Sequence, residues 1–116
     1  MIRQKNENGS INVSTSVYTD IAGTAATNCF GVKGMAARSV TDGLYHLLRK
    51  DSAGKGVKVQ FHEDNSISID LHIMVDYGVN LNAVGASIIS EVRYVVTSTT
   101  DTEVRAVNVY FDSMSI

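Results

Sequence analysis

The sequence predicts an α+β fold: a small, mostly antiparallel or mixed sheet with helices packed on one face, in the order β-α-β-α-β-β-α-β. Three observations predict it. Fifteen valines and nine isoleucines stand against five leucines, and β-branched side chains favour strands. Apolar residues recur at every second position over 57–61, 67–75 and 107–111, the period of a half-buried strand. Apolar residues three and four apart run through 17–26 and 84–99, in a chain with no proline, so helices are expected as well.

Taken in order, residues 1–9 are polar and read as a flexible N-terminal tail, leaving 10–116 as one domain. Ser10–Ser14 alternates and reads as a first strand, with Ile11 and Val13 on one face. Ser14, Thr15 or Ser16 can cap a helix from Thr15 to Thr27. Val17, Ile21 and Ala25, with Ala22 alongside, form its apolar stripe. Cys29 to Met35 reads as a short strand broken by glycines. Thr41-Asp42-Gly43 opens a short helix from Leu44 to Lys50, and Ser52 to Gly56 is a turn.

Val57, Val59 and Phe61 alternate with Lys58, Gln60 and His62, and Ile67, Ile69, Leu71, Ile73 and Val75 alternate with Ser66, Ser68, Asp70, His72, Met74 and Asp76, so the two runs make a hairpin. Parity fixes its loop. Opposed residues of an antiparallel pair lie on one face, and a two-residue turn would set Phe61 against Ser68. A three-residue loop, Glu63-Asp64-Asn65, instead opposes Phe61 to Ile67, Val59 to Ile69 and Lys58 to Asp70. It also places Asn65 where a left-handed residue is needed. Asn80 then caps a long helix, Leu81 to Ser98. Its stripe is Val84, Ile88, Val92, Val95 and Thr99, widened by Ile89 and Val96; Ser87, Glu91, Arg93 and Tyr94 face outward. Val107, Val109 and Phe111 alternate in a last strand, with Val104 out of phase at the turn into it.

Composition excludes several classes. Hydrophobic residues make up 44%, too many for a disordered chain. A net charge of −2 and a pI near 5.8 argue against a strongly basic nucleic-acid binder. The single cysteine, Cys29, forbids an internal disulfide and fits a reducing compartment. No apolar run nears the ~20 residues of a membrane span, and the first eight residues lack the apolar core of a signal peptide.

Reaction chemistry is not visible. His62 and His72 share the polar face of the hairpin. The register separates them by six residues along one strand, roughly 20 Å at ~3.3 Å per residue, too far to share a metal. His46 has no partner at ligand spacing, and Cys29 has no assured histidine or helix N-terminus to activate it. Asp64, Asp70 and Asp76 are strung along the hairpin rather than paired as acid and base. Gly31-Val32-Lys33-Gly34 is a GxxG, which clamps a nucleic-acid backbone where it joins two helices; here it falls in a strand-like segment. It leaves Lys33 and Arg38 as alternative nucleic-acid contacts. No catalytic residue, cofactor or metal is expected.

The ordered set Ile11, Val17, Ile21-Ala22, Ala25-Ala26, Gly31-Val32 and Gly34-Met35 resembles the alkaline shock protein family. So does the run Lys55-Gly56-Val57-Lys58-Val59, Ile69-Asp70-Leu71-His72-Ile73, Asp76-Tyr77-Gly78-Val79-Asn80 and Val107-Asn108-Val109. The likeness spans residues 10–112. Three departures mark the chain: no Thr-Gly-Leu before the last strand, no proline after Asn80, and Cys29 itself. The resemblance implies a non-enzymatic cytoplasmic protein of cell-envelope homeostasis in the envelope stress response. It further implies an inner-membrane-face location through a small membrane-anchored protein partner, or a regulatory role in fatty-acid synthesis.

Two expectations follow from the residues. Without a helix whose polar face is rich in Lys/Arg, the chain should not bind anionic lipid directly. Its last strand has neither proline nor lysine to blunt an edge, so a homo-oligomer is expected. Arg105, Asn108 and Tyr110 of that strand, with Met114 and Ile116 of the tail, would lie in the contact.

Overall fold

The computed structural model describes residues 2–6, 9–38, 45–47, 54, 56–76 and 78–112. The elements are β1 (Ile2–Asn6), β2 (Gly9–Val13), α1 (Thr15–Thr27), β3 (Val32–Arg38), β4 (Tyr45–Leu47), β5 (Val57–Phe61), β6 (Ile67–Val75), α2 (Leu81–Thr100) and β7 (Val104–Phe111). The α+β class holds, with helices against one face of a mixed sheet.

β6 is the organising strand. Residues 67–73 pair in parallel with β7 on one flank. On the other flank, residues 67–71 pair antiparallel with β5 and residues 73–75 with β3. β3 and β5 therefore follow one another along a single side of β6. Gly56 makes that junction possible, because a Cβ there would sit 2.9 Å from the Ala36 carbonyl oxygen. β4 extends β3 by an antiparallel pair.

The β5–β6 hairpin has the register that parity demands. Phe61 opposes Ile67, Val59 opposes Ile69 and Lys58 opposes Asp70. Asn65 takes φ 66°, the left-handed value that asparagine tolerates. Asp64 holds the loop by accepting from the Ser66 hydroxyl at 2.6 Å and the Ser66 N–H at 3.1 Å.

The core lies between sheet and helices. Ile67, Ile69, Leu71 and Ile73 are fully buried, and so are Ile88, Val92 and Val96 of α2. Asn80 caps α2 by accepting from the Ala83 N–H at 3.1 Å. The helix ends at Asp101, left-handed at φ 55°.

Several expectations are corrected. Residues 45–47 are strand β4, not part of a helix over Leu44–Lys50; pairing with β3 outweighs the leucine spacing, and the rest of that segment lies outside the described residues. Residues 2–6, expected as a loose tail, form β1 and pair with β2 from Ile2↔Val13 to Asn6↔Gly9. The backbone ladder does not need an apolar pattern. Glycine-broken Cys29–Met35 resolves into a turn, with Gly31 at φ 87°, followed by β3. In α1 the buried side is Tyr18, Ala22, Ala25 and Ala26, while Val17 is 41% exposed. The alanines let the helix lie close on the sheet, and Tyr18 fills the space beneath.

Candidate interaction surface

β7 carries Arg105, Asn108 and Tyr110. Met114, Ile116 and the side chains of Arg38 and His46 lie outside the described residues. The ladder steps from Ile67↔Val104 to Ser68↔Ala106, so Arg105 is the extra residue of a bulge. That bulge is why Val104 is out of phase and yet buried. It turns Arg105 outward to the Asp64 carboxylate at 2.9 Å. The Ser66 hydrogen bonds and Arg105 hold the Asp64 carboxyl well below the usual carboxylate range.

Beyond the bulge the strand is regular. Val107, Val109 and Phe111 face the helices, opposite Ile69, Leu71 and Ile73 of β6, while Ala106, Asn108 and Tyr110 face the other way. On this second face the polar groups bind one another. Asn108 Nδ2 donates to Asp70 Oδ1 at 2.9 Å. His72 Nδ1 and Asp112 Oδ2 are 3.0 Å apart. The His72 ring stacks on Tyr110 at 5.1 Å and 18°. His62 and Ser68 share a hydrogen bond at 2.7 Å. Lys58 opposes Asp70, but the carboxylate takes its hydrogen bond from Asn108. Among the described residues no group of three His, Cys, Asp or Glu gathers as a metal would require.

Among the described residues β7 pairs with β6 alone, so it is an edge. The Asp112 N–H donates to the Ile73 carbonyl at 2.9 Å. Successive strand residues turn their N–H and C=O groups to opposite flanks. Those of Asn108 and Tyr110 therefore face β6, and those of Val107, Val109 and Phe111 face the open side. From Ala106 to Phe111 this edge carries no charge.

α2 lies over β7. A Cβ at Gly85 would meet the Phe111 ring at 3.7 Å. One side of α2 meets α1, where Glu91, Val95 and Thr99 face Ile21 and Ala25 across a cleft of about 380 Å³. The other side lines an open cleft of about 740 Å³ with Ala86, Ile89, Ser90, Arg93, Tyr94 and Thr97. Tyr94 is 70% exposed there. Sequence reading did not find this flank. It assigned Ile89 to the buried stripe and Tyr94 to the outside, and the available signal was a stripe wider than one packed helix face needs.

The other candidates stay apart. Lys33 is exposed on β3, and Gly31 turns α1 into that strand, so the GxxG does not join two helices. Burial pushes the Cys29 thiol up, with Ser87 opposing and Glu91 reinforcing the shift, and its Sγ lies 3.5 Å from the Ala25 carbonyl oxygen. That is the opposite of an activated nucleophile. No described helix is long and apolar enough to cross a membrane.

Comparison with known proteins adds the following. The profile of the alkaline shock protein 23 family, described by a cell envelope-related function, matches residues 3–116. The uncharacterized protein YloU of Bacillus subtilis is 34% identical over 116 residues, covering 99% of this chain and 96% of that protein. The uncharacterized protein Spy1614 of Streptococcus pyogenes is 33% identical over 116 residues, covering 99% and 95%. The uncharacterized protein YqhY of Bacillus subtilis is 31% identical over 102 residues, covering 88% and 74%. Among solved structures, a variant of the MamM CTD aligns with TM-score 0.52 and 14% identity, covering 90% of this chain and 87% of that one; the likeness is one of fold.

Proposed function

The chain belongs to the alkaline shock protein 23 family, whose function is cell envelope-related, and from that premise we propose that it is a non-enzymatic interaction protein. It acts in cell-envelope homeostasis by associating with itself and with a protein partner. The observation that carries this reading is the β7 flank. An uncharged edge with no proline or lysine is what natural proteins avoid leaving bare, and here an apolar helix flank lies beside it.

The polar groups that could have been catalytic favour the same reading. His62, His72, Asp70 and Asp112 are engaged with neighbours on the sheet face away from the helices, and none of them lines either cleft described above. Any place at the membrane comes through the partner. α1 contains no Lys or Arg and α2 contains only Arg93, so neither presents the basic face that anionic lipid attracts.

The test is purification from the native host with membranes retained, beside sedimentation of the pure protein with anionic liposomes. The expected result is co-purification with an envelope protein and no sedimentation with bare liposomes. Strong sedimentation with pure anionic vesicles would overturn the partner-mediated reading. Retention of RNA at low salt, lost as salt rises, would favour nucleic-acid contact through Lys33 and Arg38 instead.

A further inference from the structure

We infer that the occupant of the β7 flank is a second copy of this chain, docked about a two-fold axis through Asn108 with the two β7 strands antiparallel. The inference rests on the reading of the protein as self-associating and adds its geometry.

Four features single out a second copy. The first is charge. A two-fold contact sets each residue on the axis against itself and every other against a near neighbour on the same strand, so a charged edge would repel its own image. Ala106 to Phe111 carries no charge. The second is backbone direction: the groups turned to the open side belong to Val107, Val109 and Phe111, which also face the core. Pairing through them extends the sheet and its apolar face together.

The third is parity. Opposed residues share a face, so the axis must pass through a residue, never between two. With the axis at Asn108, Val107 opposes Val109 of the second copy, and Ala106 opposes Tyr110, small under large. Asn108 opposes itself in a pair whose side chains stand close. With the axis at Val109, the pairing would run on to set the charged Asp112 against Ala106, outside the uncharged run, and Asn108 would face Tyr110. The Asn108 axis is the better fit.

The fourth is area. A stable pair buries about 800 Å² per partner, and one strand edge covers only part of that. α2 supplies the rest, because its open cleft lies on the side away from α1 and next to Phe111. Extending the sheet brings the two α2 helices side by side, about 8–10 Å apart, with Ala86, Ile89 and the aliphatic stem of Arg93, which share one stripe, between them and Tyr94 at the margin.

Disulfide trapping tests this geometry. Asn108→Cys is made in a Cys29→Ser background and oxidised mildly at a concentration where the parent is associated. Opposed Cα atoms in a close pair lie about 4.5 Å apart, within disulfide reach, so a covalent dimer is expected. Val109→Cys, diagonal to itself at about 7–8 Å, is expected not to link. Ala86→Arg and Asn108→Lys are both exposed positions and should each raise the dimer dissociation constant about tenfold or more. Circular dichroism confirms that each variant is folded. A parent that associates while Asn108→Cys fails to link, or links less than Val109→Cys, would overturn the two-fold register and leave self-association standing. A parent that is monomeric would overturn both. Unchanged association in Ala86→Arg would remove α2 from the contact.

Discussion

Tyr18 shows how one polar atom is accommodated in the core. Its ring is fully buried and meets Phe61 edge-on at 5.9 Å and 74°. Its hydroxyl reaches Thr102 Oγ1 at 2.7 Å, tying α1 to the segment between α2 and β7. A buried hydroxyl without a partner is costly, so this contact fixes where that segment runs. Tyr18→Phe keeps the ring and removes the bond; chemical denaturation should show a loss of about 1 kcal/mol, with no change in oligomeric state. A loss near zero would mean that Thr102 is satisfied without Tyr18. This residue was not legible in the sequence. Tyr18 sits one position from Val17, and hydropathy ranks valine as the core residue. What decides is three-dimensional: a helix rich in alanine approaches the sheet closely, and only a long side chain reaches Thr102. Asn65, by contrast, was legible, because parity in the two flanking strands leaves one loop length that needs a left-handed residue.

Among the elements, the hairpin and the long helix were the readable ones. Alternation over β5 and β6 repeats enough times to fix phase, and Asn80 marks the start of α2. The expected stripe of α2 holds from Val84 to Val92, but beyond it the buried positions are Val96 and Thr100 rather than Val95 and Thr99, and the helix runs on from Ser98 to Thr100. β4 and β1 were not readable. Three residues at Tyr45–Leu47 carry too short a pattern, and their leucine-rich surroundings match a helix as well as a strand. Polar Ile2–Asn6 is held by a backbone ladder to β2, which leaves no mark in side-chain pattern. The junction of β3 and β5 along β6 is a long-range arrangement that local pattern does not encode, although Gly56 was visible as a turn residue. Its role gives an element-scale prediction. Gly56→Ala places a methyl group against the Ala36 carbonyl oxygen and should destabilise the fold by about 1–3 kcal/mol. The same exchange at Gly78, which has positive φ but no neighbour within 4 Å among the described residues, strains only the local backbone. Equal melting shifts for the two variants would contradict the junction account.

At the scale of the whole molecule, the decisive fact is that α2 returns the chain parallel to β6, where β7 has no second neighbour among the described residues. Strand order was not readable, since the last strand looks the same whether flanked on one side or two. Residue types and the absence of proline and lysine in the last strand point to Arg105, Asn108 and Tyr110. The structure places all three on β7, with Arg105 drawn aside to Asp64 and the other two on the regular run. The helix flank beside them needed the fold to be seen. The central claim is that this flank is where the protein associates with itself, and light scattering across a concentration series tests it most directly. The account predicts a mass that rises to twice that of the 12.5 kDa chain by micromolar concentration, and that falls back when Asn108→Lys is introduced. A single-chain mass up to high micromolar concentration, or a dimer that Asn108→Lys leaves intact, would contradict it.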